Sequence, residues 1–483
     1  MKIKNLRLNF ILNISRLFLG TFFILLTMPY ITRVLGSENL GNVEYVNSII
    51  SYFLLFTALG IPSYGIREVS KVRSNKNELS KTVIELLLVL LATTIIGYIV
   101  FFILINNFKE LKAEKLLFLI MGTNIIFTNI GIEWFYQGIE NQMYITLRFI
   151  IMRILALILL FSLVKKPNDY YIYGAILVLM TSGSNIFNLI NLRKYINFRN
   201  LGKLNLKRHI KPILTIFSAT LAVSIYLQLD SVMIGSIAGT EYVAFYSIAN
   251  KLVRLVLVLV MALGTVMIPR LSNCLKEKNM EGYKTYANIS LKYILFIAVP
   301  STFAIFLLSK EIILIMAGET FMQSILTMQI VSIIILIVGI AYFIGFQVLY
   351  PYNLEKYYTY AVTLAAVINF MFNYIFIPRY AQNGAAVGTV IAELVGVLMM
   401  LYFARKKLKE INFYSIENLK YFIATLIMSV VIFFLKKLNL PNLEKLIISI
   451  ILGGVTYLTV LLLLREYFML EGIKIIKSKF KRR

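Results

Sequence analysis

The sequence predicts an all-α integral membrane protein with about fourteen transmembrane helices. Three observations lead to this fold class: the composition, the spacing of the apolar runs and the placement of basic residues between them. Of the 483 residues, 59% are hydrophobic and 15% are charged, and the mean hydropathy is +0.80. A soluble domain is about half apolar and about 25% charged. A chain this apolar requires lipid as its solvent.

A formal net charge of +26 is also typical of nucleic-acid-binding proteins. Because the basic residues fall between apolar runs and not on one compact domain, we predict no nucleic-acid partner. Cys274 is the single cysteine and His209 the single histidine, so no disulfide, metal site or cofactor is predicted. His209 lies in the segment KRHIK, which predicts a solvated basic face.

Apolar runs long enough to cross a bilayer recur along the whole chain. A hydrocarbon core of about 30 Å needs roughly 20 apolar residues in a helix. The predicted spans are 9–32, 42–62, 82–105, 116–132, 144–164, 170–192, 212–236, 243–268, 288–309, 324–349, 357–378, 384–403, 420–435 and 446–464. The connections are short, so no globular domain is predicted on either side.

Lysine and arginine are distributed unequally between alternate connections. The N-terminal segment, the even-numbered connections and the C-terminal segment hold 33 of the 49 basic residues, the other connections hold 11, and five lie within spans. Basic residues accumulate on the cytoplasmic side of membrane proteins. The bias therefore predicts that both termini are cytoplasmic and supports an even number of spans.

An internal repeat appears at an offset of about 203 residues. Gly36-Ser37-Glu38 after the first span matches Gly239-Thr240-Glu241 after the seventh, and Asn47 then matches Asn250. Because six spans separate the copies, both run in the same direction. This is the parallel type of repeat found in transporters, with a substrate path between two halves.

The repeat predicts the domain organisation. We expect a six-helix bundle over 1–208, a second six-helix bundle over 209–411, and two additional helices with a basic tail over 412–483. Such an organisation indicates alternating access. An enzyme acting on a membrane substrate would be expected to carry an extramembrane domain or a long catalytic loop, and no such segment is visible.

Ionisable residues inside spans are costly and usually face a cavity or a partner. The basic ones outnumber the acidic ones by five to three, so a cavity lined by them would be cationic. Arginine binds phosphate and carboxylate groups bidentately, which favours an anionic substrate. The predicted substrate-binding residues are Arg16, Asn47, Arg153, Asp230, Asn250, Lys251 and Arg254, and the predicted proton- or ion-coupling residues are Asp230 and Glu393.

Structural roles for the same residues remain open at this point. Arg16 and Arg148 lie near the cytoplasmic ends of their spans, where a long side chain can reach the interface. Asp230 and Arg254 can also be interpreted as a structural ion pair. Glu393, among small residues, can be interpreted as an interhelical hydrogen-bonding group.

The segment EWFYQGIENQ at 133–142 separates two apolar runs. It is the one predicted cytoplasmic connection without lysine or arginine, and it carries Glu133 and Glu140. We predict that these carboxylates contact neighbouring basic loops and gate the cytoplasmic side. Trp134 with its aromatic neighbours suits an interfacial aromatic belt, and Gly138 suits a turn.

Four stretches resemble the Wzx-type flippases of bacterial polysaccharide repeat units. They are 31–73 (ITRVLGSENLGNVEYVNSIISYFLLFTALGIPSYGIREVSKVR), 133–146 (EWFYQGIENQMYIT), 229–252 (LDSVMIGSIAGTEYVAFYSIANKL) and 373–396 (NYIFIPRYAQNGAAVGTVIAELVG). The chain is identified as a member of the multidrug/oligosaccharidyl-lipid/polysaccharide exporter superfamily.

The resemblance implies a fold and a substrate. The fold is two pseudo-symmetric six-helix bundles forming a MATE-like V, with two extra helices. The substrate is an undecaprenyl-pyrophosphate-linked oligosaccharide, moved between the leaflets of the cytoplasmic (inner) membrane for O-antigen or capsule synthesis. Membrane lipids, protons or Na⁺, and a polysaccharide polymerase and chain-length regulator are the expected partners. By motif position, the resemblance assigns roles to Arg16, Asp230, Arg254 and Glu393.

Three alternatives remain. The first is a drug or cation antiporter of the same superfamily, against which a cationic lumen argues. The second is a flippase of a lipid-linked peptidoglycan precursor. The third, from a different class, is a membrane polymerase or acyltransferase. No GxxxxGK[ST] motif occurs, so a gradient or downstream consumption of the product is the expected source of energy.

Overall fold

The computed structural model describes residues 6–198, 201–411 and 413–470, and the regular structure in those ranges is helical. The chain divides into two compact units, Met1–Ala244 and Phe245–Arg483. The boundary falls within a long helix that begins at Thr240. The predicted division at 208 and 411 therefore stays a prediction.

Seventeen α-helices occur in the described residues. The first ten are α1 (Leu6–Ala58), α2 (Ile61–Val72), α3 (Lys76–Asn107), α4 (Lys109–Ala113), α5 (Lys115–Ile130), α6 (Glu133–Gly138), α7 (Gln142–Leu163), α8 (Tyr170–Val178), α9 (Asn185–Leu192) and α10 (Lys207–Ile237). The remaining seven are α11 (Thr240–Lys276), α12 (Met280–Met316), α13 (Ser324–Ser332), α14 (Ile334–Tyr342), α15 (Glu355–Glu410), α16 (Leu419–Lys436) and α17 (Asn442–Leu463). Two π-helical segments, Leu179–Gly183 and Phe343–Leu349, follow α8 and α14.

The number of membrane crossings follows from where the helices bend. Within the described residues, eleven helical segments are long and apolar enough to cross a membrane. Two of them each contain two crossings, because Gly36 (φ 73°) and Ala381 (φ 45°) interrupt the helical backbone of α1 and α15. The 31-residue helix α10 is also long enough to cross a bilayer. The eleven candidate spans, two of them interrupted, together with α10 agree with the predicted all-α membrane fold of about fourteen helices.

The surfaces of the spans explain the composition. Only 22% to 50% of the residues in an apolar 18-residue window of each candidate span are buried by protein. Large apolar side chains such as Ile96, Ile158 and Val455 are more than half exposed on the outside of their helices. An α-helix satisfies its own backbone hydrogen bonds, so it can present such a face to lipid at no polar cost. The described part of the chain is therefore a multi-pass membrane protein.

Local geometry repeats along the chain in the order the sequence predicts. Gly36 and Gly239, 203 residues apart, both have positive φ, at 73° and 121°. Asn75 caps the N-terminus of α3 by accepting from the backbone N–H of Glu78 at 3.3 Å. Asn279, 204 residues later, caps α12 in the same way. These caps satisfy N–H groups that a helix leaves unpaired at its start.

A core of buried side chains joins α2, α3 and α6 in the first unit. Its largest members are Tyr64, Trp134, Phe135 and Tyr136. The short helix α6 belongs to this core and not to a surface loop. It places the acidic segment 133–142 against the ends of several spans.

Candidate functional site

The helix α6 carries the segment that the sequence singled out. Trp134, Phe135 and Tyr136 are 4%, 0% and 0% exposed, so the prediction of an interfacial aromatic belt is wrong. A Cβ atom at Gly65 of α2 would overlap the ring of Trp134. Close approach of these two helices removes the aromatic side chains from the lipid interface.

Gly138 has a different role from the predicted one. A Cβ at Gly138 would overlap Val69 of α2, so this glycine permits close helix packing and makes no turn. The turn is made by Glu140, which has φ 58°. The N–H of Asn141 then donates to the carbonyl of Tyr136 at 2.8 Å, which closes α6 in the manner of a Schellman cap.

Glu133 holds an arginine of the first span. Its Oε1 accepts from Nη1 of Arg16 at 2.6 Å and from Nε2 of Gln137 at 3.1 Å. Its Oε2 lies 3.9 Å from Nη2 of Arg148, which is too far for a hydrogen bond. One carboxylate therefore lies between two guanidinium groups, from α1 and α7.

Arg148 is the more buried of these two arginines. It is 8% exposed, and its Nη1 donates to the carbonyl of Ser184 at 2.9 Å. Its guanidinium lies 5.6 Å from the centre of the Tyr144 ring. Its Nε is buried and has no hydrogen-bond partner among the described residues. The sequence marked Arg148 as a charge within a span but did not include it in the site.

Arg153 lies deeper along the same pair of helices. Its guanidinium lies 4.9 Å from the ring centre of Phe23 on α1 and 4.7 Å from that of Phe149 on α7. Aromatic faces attract a cation, and more strongly where water is excluded. The predicted binding residues Arg16 and Arg153 thus lie on one helix pair, together with Arg148.

The second carboxylate of the segment has its own partner. Glu140 lies 2.6 Å from Nη1 of Arg73, just after the end of α2. Arg73 lies in the connection between the predicted spans 42–62 and 82–105. The two carboxylates therefore hold different elements, and their predicted gating role stays a prediction.

The remaining predicted residues lie on α1, α10, α11 and α15. Asn250 and Arg254 are in contact, because Nε of Arg254 donates to Oδ1 of Asn250 at 2.9 Å. Asp230 on α10 is 6% exposed and belongs to the first unit, whereas Arg254 belongs to the second. The half-buried remainder are Asn47 on α1, Lys251 on α11 and Glu393 on α15.

A polar network within the second unit was not predicted. Nδ2 of Asn373 donates to Asn369 at 3.2 Å, and Nδ2 of Asn369 donates to Thr389 at 3.3 Å. Thr389 is also 3.3 Å from the hydroxyl of Tyr246. All four side chains are buried, and Glu393 follows Thr389 by one helical turn. The spacing of the two asparagines by four residues in an apolar run was the signal for one helix face.

His209 is buried, so the predicted solvated basic face is wrong. Its side chain is 2% exposed, with Nε2 2.9 Å from Glu85 and Nδ1 2.8 Å from the hydroxyl of Tyr64. Glu85 is fully buried, and it also accepts from Arg208 and from the backbone N–H of Asn205. This cluster holds the start of α10 against α3.

The described residues contain no group of three or more His, Cys, Asp or Glu side chains placed to hold a metal ion. The arrangement around α1, α6 and α7 instead offers guanidinium groups. Guanidinium groups bind phosphate or carboxylate oxygens in pairs of hydrogen bonds.

Comparisons with known sequences agree with this chemistry. A family model described as "Polysaccharide biosynthesis protein" matches residues 7–275, more than half of the chain, and the MatE model matches 216–375. The protein of Escherichia coli (strain K12) named "Putative O-antigen transporter" is 23% identical over 397 residues, which cover 79% of this chain and 92% of that protein. The "Capsular polysaccharide biosynthesis protein CapF" of Staphylococcus aureus is 22% identical over 419 residues, covering 84% and 99%.

Comparisons with solved structures establish the fold. Lipid II flippase MurJ in an inward closed conformation has a TM-score of 0.73 at 21% identity, over 95% of this chain and 99% of that chain. An inward-facing multidrug resistance MATE family transporter of the MOP superfamily has a TM-score of 0.63 at 14% identity, over 82% and 96%. The family match and the relatives also confirm that the chain is of the transporter type and not an enzyme. The chain belongs to the polysaccharide biosynthesis protein family, within the Wzx-type flippases of the MOP superfamily that its motifs predicted.

Proposed function

We propose that this chain translocates lipid-linked oligosaccharide repeat units from the inner to the outer leaflet of the cytoplasmic membrane. The lipid carrier is a polyprenyl pyrophosphate, undecaprenyl in bacteria, and the product serves synthesis of surface polysaccharide. The family membership and the names of the relatives support this substrate class. Both termini are cytoplasmic in the proposal, in accord with the positive-inside distribution.

The observation that carries the proposal is the set of arginines on membrane-length helices. Arg148 is almost fully buried, and Arg153 lies between two aromatic rings. Burying a guanidinium within a span is costly unless it serves a partner or a pathway. A sugar pyrophosphate needs such cations and a hydrated path, while its prenyl chain can remain in lipid.

The proposal assigns roles to residues of both units. Headgroup binding falls to Arg16, Asn47, Arg153, Asp230, Asn250, Lys251 and Arg254. Glu133 and Glu140 gate the cytoplasmic side. Asp230 and Glu393 couple the cycle to protons or Na⁺, because carboxylates are the groups in these spans that can take up either cation. Alternating access involves the bundles 1–208 and 209–411, and a polymerase and a chain-length regulator are the expected neighbours in the membrane.

The first test is genetic. A deletion strain should accumulate lipid-linked repeat units on the cytoplasmic face and lose its surface polymer, and the wild-type gene should restore both. Normal polymer in the deletion strain would contradict the proposal. Export of cationic dyes, with polymer synthesis unchanged, would identify the antiporter alternative instead.

Arg254→Ala sharpens the genetic test. This change removes a guanidinium that Asn250 orients, so we expect the rate of polymer export to fall by at least tenfold while membrane insertion is unchanged. A tenfold change corresponds to about 1.4 kcal/mol. The matched control is Arg270→Ala on the same helix, where an exposed guanidinium lies 5.9 Å from the ring centre of Tyr286. Equal loss of export in both variants would argue against a headgroup role for Arg254.

A further inference from the structure

Arg16, Arg148 and Glu133 form a three-residue cluster between α1, α6 and α7, which we call the α6 cluster. We propose that the α6 cluster is a phosphate-binding site, that Glu133 occupies it as an internal anion, and that a phosphate group of the ligand displaces Glu133. The proposal deepens the proposed function, because it names the first-unit site at which the headgroup phosphate binds. It gives Glu133 a role that Glu140 does not share, whereas the sequence predicted the same gating role for both.

Arg148 provides the first argument, because its donors are incompletely used. Among the described residues, only Nη1 donates to a protein acceptor within hydrogen-bond distance, the carbonyl of Ser184. Nη2 lies 3.9 Å from Glu133, and the buried Nε has no partner among the described residues. A buried charged group with unused donors is unfavourable unless a ligand completes it. The unused Nη2 donor lies next to the carboxylate that we expect the ligand to displace.

Glu133 provides the second argument, because it can leave. Its side chain is 36% exposed, whereas the side chain of Glu85, fixed by three residues, is 0% exposed. A partly exposed carboxylate can rotate into water without a large desolvation cost. Gln137, one turn along α6, follows the same face and remains as a neutral donor. A ligand anion can therefore replace Glu133 as the partner of Arg16.

The charges favour a phosphate ligand over a single carboxylate. Two guanidinium groups and one carboxylate leave the α6 cluster with one net positive charge. A pyrophosphate diester carries two negative charges and several oxygens, so it can bridge both guanidinium groups. Arginine recognises such oxygens through paired, charge-assisted hydrogen bonds. A singly charged anion would form weaker interactions with the two guanidinium groups than the carboxylate of Glu133 already forms.

Arg153 extends the site into the membrane. Its ring partner Phe23 follows Arg16 by seven residues, about two turns or roughly 10 Å along α1. A phosphate leaving the α6 cluster would meet this cation next. Return of Glu133 to Arg16 would then reset the cluster.

The probe for the test is inorganic pyrophosphate, added to the full-length protein in phosphatidylcholine nanodiscs. Its affinity is measured as a concentration-dependent rise of the unfolding temperature. Glu133→Gln removes the competing charge and should bind pyrophosphate about tenfold more tightly than wild type, about 1.4 kcal/mol. Arg148→Gln should abolish this gain when combined with Glu133→Gln.

Glu140→Gln is the matched control. Glu140 forms an ion pair of the same length, 2.6 Å, and has the same 36% side-chain exposure, but its partner is Arg73. The affinity of the Glu140→Gln variant for pyrophosphate should equal that of wild type. Equal affinity changes in both variants, or weaker binding by Glu133→Gln, would overturn the proposal, because Glu133 would then orient the arginines and not compete with the ligand.

A second variant covers the case in which Glu133→Gln does not fold. Glu133→Asp keeps the charge but withdraws it from Arg16 by one methylene, and it should also tighten pyrophosphate binding. Unchanged or weaker binding by Glu133→Asp would count against displacement.

Two further arms identify the source of the phosphate. Competition by farnesyl pyrophosphate identifies the headgroup of a prenyl-linked substrate, and competition by phosphatidylglycerol in the nanodisc identifies a bilayer phospholipid; both support the α6 cluster as a phosphate site. Failure of both lipids to compete, with free pyrophosphate still bound, would overturn the lipid-phosphate assignment.

Translocation of lipid-linked substrate by a protein whose Glu133 and Glu140 variants behave alike would overturn this inference alone. Pyrophosphate binding as expected, without translocation, would overturn the proposed function alone.

Discussion

The two units carry the same turn at the end of corresponding spans. In the first unit Glu140 has φ 58°, and in the second unit Asn353, 213 residues later, has φ 57°. In each case the N–H of the next residue donates to the carbonyl five residues back at 2.8 Å. The backbone of this turn is thus retained, although the offset has grown from 203, mainly because α12 has 37 residues where α3 has 32.

The side chains on this shared backbone differ in chemistry. At the same offset Glu133 corresponds to Phe346 and Trp134 to Gln347. The turn of the first unit therefore holds arginines, whereas that of the second is surrounded by aromatic rings, with Phe346 5.1 Å from Tyr358. Anion-binding chemistry at this turn belongs to the first unit. Fold symmetry in this chain does not imply two equivalent sites.

The strongest test of the comparison contrasts buried carboxylates of the two units. Glu85 in the first unit accepts hydrogen bonds from Arg208 and Asn205 and lies 2.9 Å from His209. Glu85→Gln removes the fully buried carboxylate that these donors share and leaves the buried His209 and the backbone N–H of Asn205 with a weaker acceptor, so we expect the free energy of unfolding to fall by about 3 kcal/mol. Thermal unfolding of the purified protein in detergent measures the change.

Glu311 in the second unit is the matched control. It is 3% exposed, its Oε2 has no hydrogen-bond partner among the described residues, and Nζ of Lys436 is 3.8 Å away. Because this carboxylate is poorly compensated, Glu311→Gln should change stability by less than about 1 kcal/mol or increase it. A loss as large as that of Glu85→Gln would show that both units depend equally on buried charge.

Gln347 offers the next test, at the position that corresponds to Trp134. It is fully buried in the π-helical segment, and neither Nε2 nor Oε1 has a hydrogen-bond partner within the described chain. Gln347→Met keeps the shape and removes the unpaired polar atoms, so stability should rise by about 1–2 kcal/mol. Trp134→Phe, which also removes an unpaired N–H but leaves a cavity, should not raise it. A destabilised Gln347→Met variant would indicate that the amide binds an ordered water.

Hydropathy and charge asymmetry were sufficient to predict the fold. Fourteen spans and the order of the repeat follow from the apolar runs, because lipid imposes length and polarity on every crossing helix. The environment of His209 was not predictable in this way. Its burial depends on Glu85, 124 residues away, and KRHIK by itself has the composition of a surface segment.

The candidate site was predictable in its residue types but not in its pairings. The sequence marked Arg16, Arg153 and Glu133, since charges near or within spans are few. It could not distinguish Glu133 from Glu140, which lie seven residues apart and reach different arginines. Arg16 is 117 residues from Glu133, so the pair exists only after the helices have packed.

Exposed charges should matter far less than buried ones in either unit. Glu68 on α2 lies 3.1 Å from Nε of Arg67 and 2.9 Å from Nζ of Lys71, and both basic side chains are more than half exposed. Glu68→Gln should lower the free energy of unfolding by less than about 1 kcal/mol, and by less again at high salt. Unfolding temperatures at two ionic strengths check this. A larger, salt-insensitive loss would place α2 among the elements that depend on buried charge.

The smallest effect concerns a carboxyl of the first unit that lies between two spans. Burial raises the pKa of Glu114 above its ordinary value of 4.5, the hydroxyl of Tyr170 opposes this by donating to it, and the charge of Glu38 raises the pKa further. The folded state therefore binds more protons than the unfolded chain between pH 4.5 and the raised pKa, so stability falls as pH increases through that window. Glu114→Gln should remove this slope, whereas Glu319→Gln, at an exposed carboxyl of the second unit, should leave it intact. Unfolding temperatures from about pH 4 to about pH 7 measure the slope. A slope that survives Glu114→Gln would assign the pH dependence to other carboxyls. Titration of Glu114 would then not distinguish the first unit from the second.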